Sequence, residues 1–144
     1  MAVSGKWYGQ AFISAFNKEI DFDTDVIKVA LVTSTYTPNQ DTHRYFSSVT
    51  NEVANGSGYT SGGAVLGSAA IAYDGGSNTF KLSGSSTSWV SSTITARYAV
   101  IYDSTPATNK PLLAYVDFGQ NVSSSNGTFQ ITWDSSGIAV VTVN

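Results

Sequence analysis

The sequence predicts a mainly β protein, an antiparallel β-sandwich or jelly-roll-like barrel, with one short N-terminal α-helix and a short helical turn near 41–48. Three observations lead to this prediction. Apolar and polar residues alternate over many short runs, turn residues separate the runs at regular spacing, and no linker or charge run divides the chain. The runs amount to about six to eight strands, and the 144 residues suit a single domain over 1–144.

The segment at about 5–17 is predicted to form the helix. Ser4 is a candidate N-cap, and Gly9 costs the helix about 1 kcal/mol relative to alanine. Residues with helical spacing and an aromatic stripe beside them support the prediction: Trp7, Ala11, Ala15, Lys18, Tyr8, Phe12 and Phe16. The helix is expected to end near Asn17.

The strands follow this helix. In "IKVALV", Ile27, Val29 and Leu31 alternate with Lys28 and Ala30, which predicts a strand with one face directed inward. Further on, "AVLGSAAIAYDGGSNTFKL" contains two runs that are broken at 74–78, the signature of a hairpin.

The longest predicted strand is "STITARYAVIYDS". One face is expected to carry Ile94, Ala96, Tyr98, Val100 and Tyr102, and the other Thr95, Arg97, Ala99 and Ile101. It is predicted to pair antiparallel with "KPLLAYVDFG". A strand with Phe129, Ile131 and Trp133 on one face comes next, followed by a tight turn at 134–137 and a final strand at 138–143.

Composition excludes several classes of function. The chain has no cysteine, so thiol catalysis and thiolate metal sites are excluded. A net charge of −3 argues against a nucleic-acid partner. No apolar run approaches the roughly 18 residues of a membrane helix, and the first residues do not resemble a signal peptide. We therefore expect neither a nucleic-acid nor a membrane partner.

The segment "TYTPNQDTHRYF" holds the single histidine, His43. Asp41 is the nearest carboxylate, but residues i and i+2 of a helix do not face each other, so a catalytic pair is not expected. Asp41 is instead predicted to cap a short helical turn. In that turn Tyr45 or Phe46 would contact the core, and His43 and Arg44 would face solvent or a neighbouring subunit.

The carboxylates give no clear site. The alternating Asp21, Asp23 and Asp25 invite a calcium hypothesis, but the glycine and distal glutamate of an EF-hand loop are missing, so a solvated connection is favoured and cation binding stays open. Glycoside hydrolysis requires only two carboxylates. Its candidates are Glu19, Glu52, Asp117 and Asp134, and nothing in the sequence marks any two as a pair. We expect no enzyme activity and no cofactor.

A series of stretches resembles small structural proteins of tailed bacteriophages. They are "DFDTDVIKVALVTSTYTPNQDTHRYFSSVTNEV", "GYTSGGAVL", "WVSSTITARYAVIYDSTP" and "LLAYVDFGQNVSSSNGTFQITWDSSGI". The resemblance covers most of the chain from about residue 20 onward. It implies a virion protein made in the host cytoplasm, a decoration or cement protein that binds the outer surface of the head and stabilises the shell. The implied partner is the major capsid protein, with a trimer as the favoured homo-oligomer.

Two alternatives remain open at this stage. The chain could be a tail or adaptor component, or a carbohydrate- or receptor-binding module with Tyr59, Trp89 or Tyr115 as a sugar platform. Interfaces favour aromatic and arginine side chains. The candidate interface residues are Trp7, Tyr8, Tyr36, His43, Arg44, Tyr45, Tyr59 and Trp89.

Overall fold

A computed structural model describes residues 2–144. Over these residues the protein is mainly β, with one α-helix, α1 (Gln10–Phe16), and one short 3-10 turn (Phe46–Ser48). The strands are β1 (Ala2–Val3), β2 (Lys6–Trp7), β3 (Ile27–Val32), β4 (Ala64–Val65), β5 (Ala70–Asp74), β6 (Thr79–Ser83), β7 (Thr87–Ser92), β8 (Thr95–Asp103), β9 (Leu112–Ser123), β10 (Gly127–Trp133) and β11 (Ala139–Thr142). The predicted mainly β class is therefore confirmed.

The strands form three sheets. The central sheet has the order β2-β9-β8-β3-β4, and the two smaller sheets have the orders β11-β6-β5 and β1-β10-β7. All pairs are antiparallel except β1 with β10, which is parallel. The packing is sandwich-like, and the sheets do not close into a barrel because each of them ends in an edge strand.

A core lies on each face of the central sheet. The first core joins the central sheet to the two smaller sheets, and it includes Leu31, Leu82, Trp89, Ile101 and Trp133. The second core lies on the opposite face and is formed by Tyr8, Ala30, Val32, Tyr36, Val100, Tyr102 and Leu112, with Phe46 and Val49 packed against them. The segment 33–51 therefore covers the second face of the sheet.

This arrangement corrects the prediction for β3. Only one face was expected to be directed inward, yet Ala30 and Val32 are as fully buried as Val29 and Leu31. A central strand that is covered on both faces has a nearly continuous apolar sequence. The sequence "IKVALV" has this pattern.

The faces of β8 also differ from the prediction. A register shift between Ala96 and Tyr98 interrupts the alternation. As a result Ala96 lies in the first core together with Ala99, while Tyr98 packs against the second core. A β-bulge inserts an extra residue and so moves the following side chains to the other face.

The helix is shorter than predicted. Lys6 and Trp7 pair with Tyr115 and Ala114 in the central sheet, so the helix begins at Gln10 and not near residue 5. Gly5 fits this extended path because a Cβ there would lie 2.1 Å from the carbonyl oxygen of Tyr115. Ser4 does not cap the helix, because Gly9 is the N-cap and provides no side-chain hydrogen bond.

The predicted hairpins are confirmed. β5 pairs with β6 around the turn at 74–78, and β8 pairs with β9. Phe129, Ile131 and Trp133 share one buried face of β10. In the next turn, the Asp134 carboxylate accepts hydrogen bonds from the backbone and hydroxyl of Ser136, and the final strand follows at Ala139–Thr142.

Candidate functional site

An apolar groove of about 540 Å³ lies between helix α1, the connection that follows it and the β5–β6 hairpin. Its apolar walls include Trp7, Ala11, Phe12, Ala15, Ile71 and Phe80. Three exposed charged side chains, Lys18, Asp21 and Asp23, also line it. The groove can therefore hold an apolar side chain or segment, with charges of both signs nearby to fix its orientation.

The helix and the hairpin that form the groove carry exposed apolar side chains. Phe16 at the end of α1 is 88% exposed, and Ile13 one turn earlier is 49% exposed. On the hairpin, Tyr73 is 55% and Ile71 is 42% exposed. We call these four residues together with the groove the apolar surface. It differs from the isolated exposed apolar residues of ordinary surfaces, because all four residues lie on the helix and the hairpin that form the groove, and Ile71 lines it.

The strand β5 has an unpaired backbone edge. It is the outer strand of the β11-β6-β5 sheet, and all five of its residues are exposed. An edge strand of this kind offers free N–H and C=O groups to another strand. Ile71 and Tyr73 stand two residues apart, so they share a face of the strand, and Ile71 lines the groove.

His43 is held by internal hydrogen bonds. Its Nδ1 accepts from the Asn39 backbone N–H at 3.3 Å and lies 2.9 Å from the Tyr36 hydroxyl. Because Nδ1 is the acceptor, Tyr36 donates to it, and Tyr36 in turn accepts from the Tyr8 hydroxyl at 2.9 Å. Burial raises the pKa of Tyr8, so this phenol stays protonated.

The turn around His43 is capped differently from the prediction. The side chain of Asn39, not that of Asp41, accepts hydrogen bonds from the backbone N–H groups of Asp41 and Thr42. Asp41 is exposed. The 3-10 turn begins later, at Phe46, whose ring stacks on Tyr102 with centroids 4.0 Å apart. The expected contact between this segment and the core is therefore made by Phe46.

Arg44 and Tyr45 connect this segment to the end of helix α1. Arg44 Nη2 donates to Glu19 Oε2 at 2.9 Å, and the Tyr45 hydroxyl donates to Glu19 Oε1 at 2.6 Å. Arg44 Nε also donates to the buried Ser14 hydroxyl at 3.2 Å. The Tyr45 hydrogen bond, with the Arg44 ion pair, lowers the pKa of Glu19.

The other carboxylates considered for glycoside hydrolysis have separate structural contacts. Glu52 Oε1 accepts from the Tyr59 hydroxyl and the Gly62 backbone N–H. Asp117 is bound by Arg97, whose hydrogen bond lowers the pKa of this carboxyl. Asp134 accepts from Ser136 within its own turn. Each carboxylate has its own contact, and none of these contacts joins two of the candidates.

The three alternating aspartates do not act as a unit. Asp21 and Asp23 line the groove, whereas Asp25 accepts a hydrogen bond from the Asp21 backbone N–H. Within residues 2–144, no group of three or more histidine, cysteine or acidic side chains is arranged to hold a metal ion. Over the same residues, no helix has the length and apolar character that crossing a membrane requires.

Five of the aromatic residues proposed for an interface lie in the cores. Trp7, Tyr8, Tyr36, Tyr59 and Trp89 are all 7% exposed or less. His43, Arg44 and Tyr45 are half-buried. Sequence reasoning did not single out the apolar surface, although two signals for it were present. The helical stripe ends in Phe16, and the hairpin alternation places Ile71 and Tyr73 on one face.

Comparison of the chain with protein-family models, with curated proteins and with solved structures gives no match.

Proposed function

We propose that this chain is a structural protein of a tailed-phage virion, a decoration protein that binds the outer surface of the head and stabilises the shell. The observation that carries the proposal is the apolar surface, where a groove is formed by a helix with two exposed apolar residues and a hairpin with a free strand edge. The resemblance of the motif series to small tailed-phage structural proteins supports it. The protein works through binding and not through catalysis.

The apolar surface suits a protein partner. Phe16, Ile13, Ile71 and Tyr73 leave apolar area in water, and covering such area contributes roughly 25 cal/mol per Å². A contact of this kind is modest at a single site. On a capsid lattice, many equivalent sites act together when the bound protein is multivalent, so modest affinity per site is enough.

The proposed partner is the major capsid protein, and the proposed oligomer is a trimer. A closed threefold ring would place three copies of the apolar surface at a local threefold position of the shell. The strand edge of β5 could add a strand from the partner by backbone pairing, while the groove takes an apolar side chain.

Separation of virions into heads and tails tests where in the particle the protein is located. If the proposal is correct, mass spectrometry of separated heads and tails finds this chain in heads, and cryo-electron microscopy shows it outside the shell. Detection in tails alone would contradict the decoration role and favour the tail or adaptor alternative. Light scattering of the purified protein tests the trimer independently.

Substitutions test the surface. Phe16→Ser and Tyr73→Ser should each reduce co-sedimentation with undecorated heads by about tenfold or more, which corresponds to about 1.4 kcal/mol of lost contact energy. Val90→Ser is the matched control because Val90 is 66% exposed on β7, outside the apolar surface. Equal binding of all three variants and the unmodified protein would show that another surface is used.

The carbohydrate-binding alternative loses two of its three aromatic residues. Tyr59 and Trp89 are buried, and the Tyr59 hydroxyl donates to Glu52 while it accepts from the Leu31 backbone N–H. A sugar platform requires an exposed ring face, so neither residue can supply one. We therefore do not propose this function.

A further inference from the structure

Asp103 at the end of β8 is a fully buried carboxyl group, with 0% exposure. Its Oδ1 accepts a hydrogen bond from the Thr105 backbone N–H at 3.0 Å. Its Oδ2 is also buried and has no hydrogen-bond partner among residues 2–144. A buried carboxylate oxygen without a donor is costly, so this atom requires an explanation.

The backbone of Val26, the residue after Asp25, is hydrogen-bonded to Ser104 and Thr105, the two residues after Asp103, and this brings the Asp25 carboxyl beside that of Asp103. Asp25 Oδ2 already accepts a hydrogen bond from the Asp21 backbone N–H at 2.9 Å. Two carboxyl groups can form a hydrogen bond only if one of them carries a proton. A proton on Asp103 Oδ2 would satisfy that atom and give Asp25 a donor.

The pair lies at a junction between two connections. Ser104 donates from its backbone N–H and its hydroxyl to the Val26 carbonyl, and the Val26 N–H donates to the Thr105 hydroxyl at 2.7 Å. The β8–β9 loop, residues 104–111, is thus held against the connection that precedes β3. Lys110 is the other charged group near Asp103, and its ammonium donates to the Ser104 carbonyl at 2.8 Å and to the Pro106 carbonyl.

We propose that Asp25 and Asp103 share one proton, with Asp103 Oδ2–H donating to the Asp25 carboxylate. Release of this proton to a buffer base as the pH rises loosens the 104–111 loop from the connection before β3. Deprotonation leaves two adjacent carboxylates with one ammonium, and their repulsion acts directly on the junction. The site is therefore a proton-binding device that makes one end of the sheet sensitive to pH.

The direction of the effect follows from the environment of Asp103. Burial, together with the hydrogen bond to Asp25, raises the pKa of Asp103 to about 7, while Lys110 opposes this shift. In the unfolded chain an aspartate has a pKa of about 3.9. The folded state therefore binds the proton more tightly than the unfolded state does. The bound proton stabilises the folded state fully below about pH 4, and this stabilisation is lost as the pH rises to about 7 and above.

Chemical denaturation between pH 5 and 8.5 in EDTA tests the proposal. The folded-to-unfolded ratio of the unmodified protein should fall about ten- to thousandfold over this range relative to Asp103→Asn, whose amide donates to Asp25 at every pH. Asp23→Asn is the matched control, because Asp23 is an exposed residue of the same connection, and it should keep the dependence of the unmodified protein. An equal pH dependence in Asp103→Asn and the unmodified protein would overturn the proposal.

Carbon NMR of the unmodified protein tests the same point without a variant. The Asp103 carboxyl resonance should titrate well above the exposed aspartates, and titration below pH 5 would refute the shared proton even if Asp103→Asn failed to fold. Calcium titration at pH 8 separates a proton from a metal ion. If calcium stabilises the unmodified protein but not Asp103→Asn, the pair binds a cation and the shared-proton proposal is wrong.

Discussion

At the scale of single residues, Tyr36 holds the middle position in a chain of three side chains. Its hydroxyl accepts from the buried Tyr8 hydroxyl and donates to His43 Nδ1, with both distances 2.9 Å. These two hydrogen bonds fix the segment 33–51 on the second core. The single histidine of the sequence thus ends a structural hydrogen-bond chain.

Tyr36→Phe should destabilise the protein more than Tyr8→Phe. The first substitution leaves the fully buried Tyr8 hydroxyl without its partner, at a cost of about 1–3 kcal/mol. In the second, Tyr36 still donates to His43, so the cost is that of one ordinary hydrogen bond, about 1 kcal/mol. Urea denaturation of both variants measures the difference. Equal costs would mean that the Tyr8 hydroxyl finds another partner, such as water.

Aromatic side chains are ambiguous between a core and an interface when only the sequence is known. The aromatic residues chosen as interface candidates are favoured at interfaces, but the same types fill cores. Trp89 shows the ambiguity, because its strand alternates and one of the two faces had to be buried. Nothing local in "TSWVSS" shows that the Trp89 face packs inward and the Val90 face is exposed.

At the scale of elements, helix α1 is anchored by charges at its C-terminal end. Glu19 accepts from Arg44 and Tyr45 of the segment 33–51, which binds the helix exit to the cover of the second core. Glu19 and Arg44 are partly exposed, with side-chain exposures of 29% and 27%, so the ion pair itself is screened by solvent.

The Glu19 contact predicts a pH dependence opposite in sign to that of Asp103. The Tyr45 hydrogen bond lowers the pKa of Glu19, so the stabilisation is present above the ordinary glutamate pKa of about 4.3 and is lost as the pH falls through the lowered value. Glu19→Gln should therefore destabilise the protein at about pH 7 and have a much smaller effect at about pH 3.

Denaturation of Glu19→Gln and the unmodified protein at both pH values provides the measurement. Asp41→Asn, at an exposed carboxylate of the same segment, is the control. If the difference in unfolding free energy between Glu19→Gln and the unmodified protein is the same at both pH values, the ionised form of Glu19 is not what holds the helix.

At the scale of the whole molecule, the central sheet belongs to both cores. β3 and β8 contribute side chains to each of them, because both faces of the sheet are covered. Loss of packing on one face therefore affects strands that also support the other. We expect the two cores to unfold in one cooperative transition.

Leu31→Ala in the first core and Leu112→Ala in the second test this expectation. Both leucines are fully buried, so each substitution should cost about 2–5 kcal/mol. The three tryptophans lie in or against the first core, whereas Tyr8, Tyr36 and Tyr102 belong to the second. For each variant, tryptophan fluorescence and tyrosine near-ultraviolet circular dichroism should therefore give the same unfolding midpoint, shifted from that of the unmodified protein.

Val90→Ala on the exposed face of β7 is the control and should change the unfolding free energy by no more than about 0.5 kcal/mol. If Leu112→Ala shifts the unfolding midpoint in the tyrosine signal but not in the tryptophan signal, the second core unfolds independently.

The elements with local causes are predictable from the order of residues alone. Period-2 alternation located seven of the eleven strands described in residues 2–144, but not β1, β2, β4 or β7, so the predicted six to eight strands are too few. Turn residues predicted the 74–78 and 134–137 turns, because turn chemistry depends on neighbours in the chain. The mainly β class and the β8–β9 pair follow from these elements. The end of helix α1 at Asn17 was likewise predictable.

Which faces of the strands and helix are covered depends on contacts between distant segments. The start of α1 depends on pairing between β2 and β9, more than a hundred residues apart in the chain, and the second core depends on where the segment 33–51 lies. The apolar surface and the Asp25–Asp103 pair likewise join residues that are distant in sequence. Such contacts form between strands and loops brought together by folding, so no spacing within the chain records them.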